Sequence, residues 1–173
     1  MHYHLRPGGI RRIIELATPH LLRAAPRPVQ AVTLATGEAP ERKWEGQFRE
    51  SLAPVLVEFF VEPAFGYFSE QSSPPRVLQK RIIQALQALL DAGAPSNCLV
   101  WAHNLGVGRN LLLARELARA CAQRGLLLVA HHHDLWFDNR WNRWPEMQCC
   151  GFHQLSRVAK PCCLRLEIGR AHV

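Results

Sequence analysis

The four residues at positions 131–134, HHHD, can all do chemistry, and they directly follow a short run of apolar residues. The run covers residues 126–130 and comes after Gly125, a pattern typical of a strand that is buried on both faces of a parallel sheet. In open α/β sheets the carboxyl ends of the strands face the ligand crevice. We therefore interpret residues 126–130 as scaffold and residues 131–144 as a site.

Alternate histidines of an extended strand point to the same side, so His131 and His133 are spaced like a pair of metal ligands. An ion needs further ligands, which His103 or Asp134 would supply. The function predicted from such a site is that of a metal-dependent hydrolase. The alternative is that the imidazoles serve as hydrogen-bonding groups. We favour the alternative, because no carboxylate downstream is a convincing partner, but the residues alone leave both interpretations open.

Arginines and tryptophans repeat at a spacing of three just beyond the histidines, as Arg140, Trp141, Arg143 and Trp144. In a helical turn they would form one cationic and one aromatic ridge. Aromatic rings can carry a sugar ring or a nucleobase, and arginines hold anionic groups. The tryptophans can equally pack as a wall of the crevice. A nucleic-acid-binding module with residues 140–144 as its stacking platform is a further alternative.

Strands and helices alternate along the chain and must position these residues. The predicted strands are residues 2–5, 29–36, 55–61, 99–102 and 126–130. The predicted helices are residues 10–21, which Pro19 should kink or restart, 77–90 and 109–123. The polar segment 39–50 is predicted to be a loop. Such alternation gives βαβ units, so we predict an α/β fold with a doubly wound, mostly parallel, Rossmann-like sheet.

Polar residues stand at the carboxyl ends of several predicted strands. They are His4 near the end of the first strand, His103 and Asn104 after the fourth, and residues 131–134 after the fifth. Gly8 and Gly9 follow the first strand and are expected at the same edge. If the strands are parallel, their carboxyl ends meet along one edge of the sheet. We therefore expect these groups to line a single crevice.

A glycine pair, Gly8 and Gly9, precedes the first predicted helix and has Arg6, Arg11 and Arg12 around it. Such a turn can offer free backbone N–H groups and positive charge to a phosphate. A second glycine-rich segment, GVGRN at residues 106–110, lacks the spacing and the Lys-Ser/Thr ending of a P-loop, which excludes ATP hydrolysis by that route.

The composition favours an anionic partner. The chain has 21 lysines and arginines against 14 aspartates and glutamates, a formal net charge of +7. This suits a phosphate-bearing ligand, nucleic acid or an acidic membrane surface, without choosing among them. No apolar run is long enough to span a bilayer and the first residues lack the apolar core of a signal peptide, so we predict a cytoplasmic protein with its six cysteines reduced.

Three segments of the chain form a recognisable set: HLRPGGIRRIIEL at the start, WAHNLGVGRN at the fourth predicted strand, and HHHDLWFDNRWNRWPEM at the fifth. Together they resemble the N-terminal domain of GT-B glycosyltransferases of the family 4 type. The last segment is the most specific of the three. The resemblance runs from Met1 to about Phe152.

The resemblance implies a hexosyltransferase that moves a sugar, with retention, from a nucleotide-sugar donor to a sugar or glycan acceptor. It implies no metal or other cofactor and no nucleic-acid partner, and it leaves contact with a membrane surface open. His133, followed by Asp134, would act as the catalytic residues that contact the reacting sugar. Gly8, Gly9 and Arg11 would bind the donor phosphates. The residues assigned to the acceptor are His103, Asn104, His132, Arg140 and Trp144.

Enzymes of this family have a second Rossmann-like domain, with most of the nucleotide contacts and a paired-glutamate motif, and this sequence ends before one. We therefore expect residues 1–159 to be the acceptor-side domain, inactive without its C-terminal GT-B partner. Residues 160–173 are expected to be an unreliable tail. Its last six residues, IGRAHV at 168–173, can be spelled by codons that match read-through of a common sequencing adapter.

Overall fold

The computed structural model describes residues 1–91 and 97–133, and the chain divides into two compact units. The first unit is Met1–Gly66, and the second begins at Tyr67. Each unit combines helices with one pair of parallel strands, which confirms the predicted α/β class. None of the helices within the described residues is both long and apolar enough to cross a membrane.

The first unit contains helix α1 (Gly9–Ala24), strand β1 (Ala31–Thr36), helix α2 (Arg42–Ser51) and strand β2 (Leu56–Val61). β1 and β2 are parallel, with Ala31 opposite Leu56 and Thr36 opposite Val61. The first residues, predicted to be a strand, run beside β1 without being assigned to the sheet. The His2 N–H donates to the Ala35 carbonyl at 3.1 Å, and the Gly37 N–H donates to the Tyr3 carbonyl at 2.9 Å.

Helix α2 replaces the loop that was predicted for residues 39–50, so that prediction is wrong. The helix has only two buried side chains, Trp44 and Phe48, which lie one turn apart with their rings stacked at a centroid distance of 5.0 Å. These two are the only large apolar residues of the ten in the helix, too few to show a helical periodicity in the sequence. Both nevertheless pack in the core. The core of this unit consists of Leu5, Ile14, Leu34, Trp44, Phe48, Leu52 and Val57.

Helix α1 is continuous across Pro19, so the predicted restart at that residue does not occur. Its inner face buries Ile14 and Thr18, and the Thr18 hydroxyl donates to the Ile14 carbonyl at 2.6 Å. Ile14 before Pro19 belongs to the core, and the partly buried Leu22 after it packs against the same core, so the helix is held on both sides of the proline.

The second unit contains helix α3 (Pro75–Leu90), strand β3 (Leu99–His103), helix α4 (Leu111–Arg124) and strand β4 (Leu127–His131). β3 and β4 are parallel and in register, with Leu99 opposite Leu127 and His103 opposite His131. The side chain of Asn110 caps α4 by accepting the Leu113 N–H at 3.0 Å. Gly125 ends α4 in the left-handed conformation, with φ 64°, so that β4 can begin two residues later.

The core of the second unit lies between α3, α4 and one face of the β3–β4 pair. α3 buries Leu78, Ile82 and Leu86, which share the helical face that the sequence predicted. The opposite face of the strand pair is open, because Leu127 is 66% exposed and Val129 is 41% exposed. The prediction that residues 126–130 form a strand buried on both faces is therefore wrong. The strand is where it was predicted, but only its alternate residues face the helices.

Adjacent isoleucines on α3 provide a matched test of this packing. Ile82 is fully buried, whereas Ile83 is 36% exposed. We expect Ile82→Ala to lower the free energy of unfolding by about 3 kcal/mol, because it leaves a cavity between the helices. Ile83→Ala should cost about 1 kcal/mol at most. Urea unfolding followed by circular dichroism measures both, and equal losses would contradict the burial of this face.

A second test uses the thiol of Cys121, on the inner face of α4. Burial raises the pKa of this thiol to about 11, with a smaller contribution from Cys98. Because only the thiolate reacts, Cys121 in the folded protein should resist iodoacetamide at mildly alkaline pH and should be labelled once urea unfolds the chain. Peptide mapping by mass spectrometry reads this cysteine separately from the others. Equal labelling of Cys121 before and after unfolding would contradict the packing of α4.

Candidate functional site

Three imidazoles converge at the carboxyl ends of β3 and β4. His103 is the last residue of β3, His131 is the last of β4, and His133 lies two residues further on. The ring centroids of His131 and His133 are 4.1 Å apart, and the ring of His103 lies 5.3 Å from His131 and 5.5 Å from His133. Nδ1 of His103 is 3.1 Å from Nε2 of His133. These three residues are the histidine cluster of the following paragraphs.

The parallel register brings the cluster together. His103 and His131 are direct partners across the two strands, so their side chains leave the same face of the pair. His133 returns to that face because side chains alternate along extended backbone. Trp101, two residues before His103, lies on the same face, with its ring 4.3 Å from His103 and stacked on His131 at 5.9 Å. The cluster therefore continues an aromatic row that begins on β3.

Asn104 follows β3 and joins its end to the end of β4 by hydrogen bonds. Its backbone is left-handed, with φ 56° and ψ 25°, a conformation that asparagine tolerates better than most residues. Its N–H donates to the His131 carbonyl at 2.9 Å, and its side-chain oxygen accepts the His133 N–H at 2.7 Å. Asn104 was assigned to the acceptor through the resemblance. In the structure its amide oxygen fixes the backbone of His133.

His132 points away from the cluster and packs against Gly106. A Cβ atom at position 106 would lie 2.6 Å from Cε1 of His132, closer than a real contact allows. Gly106 belongs to the short 3₁₀ turn Leu105–Val107, which follows β3. The sequence singled out this glycine only as part of a failed P-loop pattern. That pattern did not indicate that Gly106 makes room for the ring of His132, 26 positions later in the chain. The contact arises because β3 pairs with β4.

The cluster combines a buried ring with two more accessible rings. His103 is 1% exposed, whereas His131 and His133 are half-buried. Across the 3.1 Å contact, one of His103 and His133 donates and the other accepts, so their tautomers are linked. Within the described residues, this group of possible metal-binding side chains contains histidines alone. The arrangement can exchange hydrogen bonds with hydroxyl groups or offer nitrogen ligands to a metal ion.

The predicted phosphate-binding residues lie in the first unit, at the start of α1. Gly8 caps the helix without a side-chain hydrogen bond, and its carbonyl accepts the Arg12 N–H at 3.1 Å. The N–H groups before Arg12, beginning with Gly9, have no acceptor within the helix. Neither glycine is needed for space, because an added Cβ would meet nothing closer than 3.9 Å. Arg11 lies 3.5 Å from Glu15 and 3.7 Å from Glu41, so its charge is partly balanced within the protein.

The structure brings together four of the predicted site residues, His103, Asn104, His132 and His133, around one turn of the second unit. The predicted catalytic Asp134 and the predicted acceptor residues Arg140 and Trp144 lie outside the described residues, as do all of the ridges at 140–144 and the tail at 160–173. Trp101 also contacts the histidine cluster and was not predicted as a site residue. The sequence could have indicated it, because a spacing of two residues places Trp101 and His103 on the same face of a strand.

Two substitutions at Asn104 separate its side chain from its backbone. Asn104→Gly removes the acceptor for the His133 N–H but keeps a residue that tolerates φ 56°, whereas Asn104→Ala removes the acceptor and adds strain. We expect the alanine variant to be less stable than the glycine variant by about 1 kcal/mol. Both variants should increase the amide hydrogen exchange of His133. Equal stability of the two variants would contradict the left-handed turn, and unchanged exchange would contradict the side-chain hydrogen bond.

Relationship to known proteins adds no constraint on this site. Comparison of the chain with protein-family models, with curated proteins and with solved structures finds no match. The function must therefore be inferred from the residues of the site and their geometry.

Proposed function

We propose that this chain is the acceptor-side domain of a GT-B glycosyltransferase, which transfers a hexose from a nucleotide-sugar donor with retention. The observation that best supports this proposal is the set of imidazole and amide groups at the carboxyl ends of β3 and β4. Ligand crevices of open α/β sheets lie at this edge. In the proposed fold, residues 1–159 form one domain, and both strand pairs belong to a doubly wound, Rossmann-like sheet.

The proposal gives His133 the contact with the reacting sugar. Its backbone is held by Asn104 and its ring contacts His103, so the imidazole has a defined position before any ligand arrives. An imidazole can both donate and accept hydrogen bonds, as a sugar hydroxyl does. The half-buried Trp101 ring beside the cluster adds an aromatic face of the kind that carries sugar rings.

The donor side of the proposal rests on α1 and on a second domain. Unsatisfied N–H groups and the helix dipole at Gly8 and Gly9 favour an anion, and the net charge of +7 has the sign that a nucleoside diphosphate needs. During transfer these groups would stabilise the departing diphosphate. In GT-B enzymes most contacts to the nucleotide come from a C-terminal domain, so acceptor binding is the part of the proposal that residues 1–159 can test.

A glycan array tests acceptor binding by the chain alone. In buffer with a chelator, we expect the wild-type chain to retain at least one class of carbohydrate. His133→Gln should weaken that binding about tenfold or more, because loss of a hydrogen bond from an oriented ring costs about 1–3 kcal/mol.

His20→Gln is the matched control, since His20 lies exposed on α1, where its ring nitrogen contacts Arg23. Its carbohydrate binding should equal that of the wild type. Failure of the chain to retain any carbohydrate, or equal binding by His133→Gln and the wild type, would refute the proposal.

The same cluster favours one alternative function, a metal-dependent hydrolase built on His103, His131 and His133. Hydrolysis of a model ester, stimulated by Zn²⁺ and abolished by a chelator, would favour this alternative, because ester hydrolysis is not part of sugar transfer. The nucleic-acid alternative depends on residues 140–144, which the structure does not describe.

A further inference from the structure

We propose that His103, His131 and His133 form a binding site for one divalent transition-metal ion of the Zn²⁺ class, with a fourth coordination position open to solvent or ligand. Each residue offers one ring nitrogen, and the three nitrogens lie within 4.8 Å of one another. This inference departs from the sequence-based expectation of a metal-free protein. It does not depend on sugar transfer, because ion binding can be measured without a reaction.

The spacing of the nitrogens is close to that of a tetrahedral site. Zn–N bonds of about 2.0–2.1 Å at tetrahedral angles place ligand nitrogens about 3.3 Å apart. Nδ1 of His103 and Nε2 of His133 are 3.1 Å apart, so this pair already has nearly the required separation. The widest separation in the set is at most 4.8 Å, so it must shorten by no more than about 1.5 Å, which small rotations of the imidazoles can supply.

The ligands are held by structure that does not involve the ion. His103 is buried at the end of β3, and its partner His131 is fixed by the strand register. The Asn104 side chain binds the backbone of His133. A site whose ligands are ordered in advance loses less entropy when the ion binds. Asn104 therefore acts as a positioning residue for the ion.

The type of ligand selects the type of ion. Imidazole nitrogen suits Zn²⁺, Co²⁺, Ni²⁺ and Cu²⁺, whereas Mg²⁺ and Ca²⁺ require mainly oxygen ligands. Neutral imidazoles leave the double charge of the ion uncompensated, so the fourth position favours hydroxide, a carboxylate or a phosphate oxygen. His131 and His133 are half-buried, which leaves the cluster accessible from solvent. Ligation uses one nitrogen of each ring, so the other nitrogen of His133 remains able to hydrogen-bond.

Cobalt binding to the purified full chain tests the site. The folded protein is stripped with a chelator and its accessible cysteines are alkylated without urea, so that their thiolates cannot bind the ion. The buried Cys121 stays unmodified in the core. Titration with Co²⁺ should then give the visible absorption of a tetrahedral nitrogen site at one ion per chain, and Zn²⁺ should displace it. His131→Gln and His133→Gln should each weaken Co²⁺ binding about 100-fold or more, since even the loss of a supporting hydrogen bond costs 10–100-fold.

Two further variants make the result specific. His20→Gln should bind Co²⁺ like the wild type, and Asn104→Gly should weaken binding about tenfold while keeping all three ligands. Circular dichroism checks the folding of each variant. Absence of Co²⁺ binding by the wild type would overturn the proposal. So would Co²⁺ binding by folded His131→Gln and His133→Gln that equals binding by the wild type. Because the glycan assay contains a chelator, its outcome and that of the cobalt titration are independent.

Discussion

The candidate site depends on the parallel register at the carboxyl ends of β3 and β4. His103 faces His131 across the pair, and Asn104 extends the contact by binding the His131 carbonyl and the His133 N–H. A slip of one residue would turn every side chain of β4 to the opposite face. His132 would then join His103, and His131 and His133 would face the glycine turn. The register of the strand pair therefore decides which side chains can meet at this edge.

In the second unit, the register of β3 and β4 is stabilised by packing on one face of the strand pair. α3 and α4 cover one side of the strand pair with fully buried leucines, and a buried carboxylate, Glu116, joins the helices by accepting from Gln79 at 3.1 Å. The other side carries Trp101 and the exposed Leu127 and Val129 before it reaches the imidazoles. Hydrophobic burial against the helices thus sets the register. Because side chains alternate along a strand, the same register places the imidazoles on the opposite face.

The sequence was sufficient to predict the elements with strong periodicity and the proximity of His103, Asn104 and His133 at the ends of two strands, but not the contacts among them. The leucine face of α3 and the apolar run before His131 predicted a helix and a strand correctly. Helix α2 was not predicted because Trp44 and Phe48 are its only large apolar residues. Burial of β4 on both faces was wrongly predicted because an apolar run in the sequence does not show whether one face of the strand is exposed. The contact of Gly106 with His132 joins distant parts of the chain, so no local pattern could indicate it. A common edge for Gly8, Gly9 and the cluster stays a prediction.

Nuclear Overhauser contacts among the histidine rings test the central claim most directly. In the metal-free protein, the ring protons of His103 should show contacts to those of His131 and His133, and the α-protons of Gly106 should show contacts to the ring of His132. Contacts of His103 with His132, or of Gly106 with His131 or His133, would show the opposite register and would contradict the account.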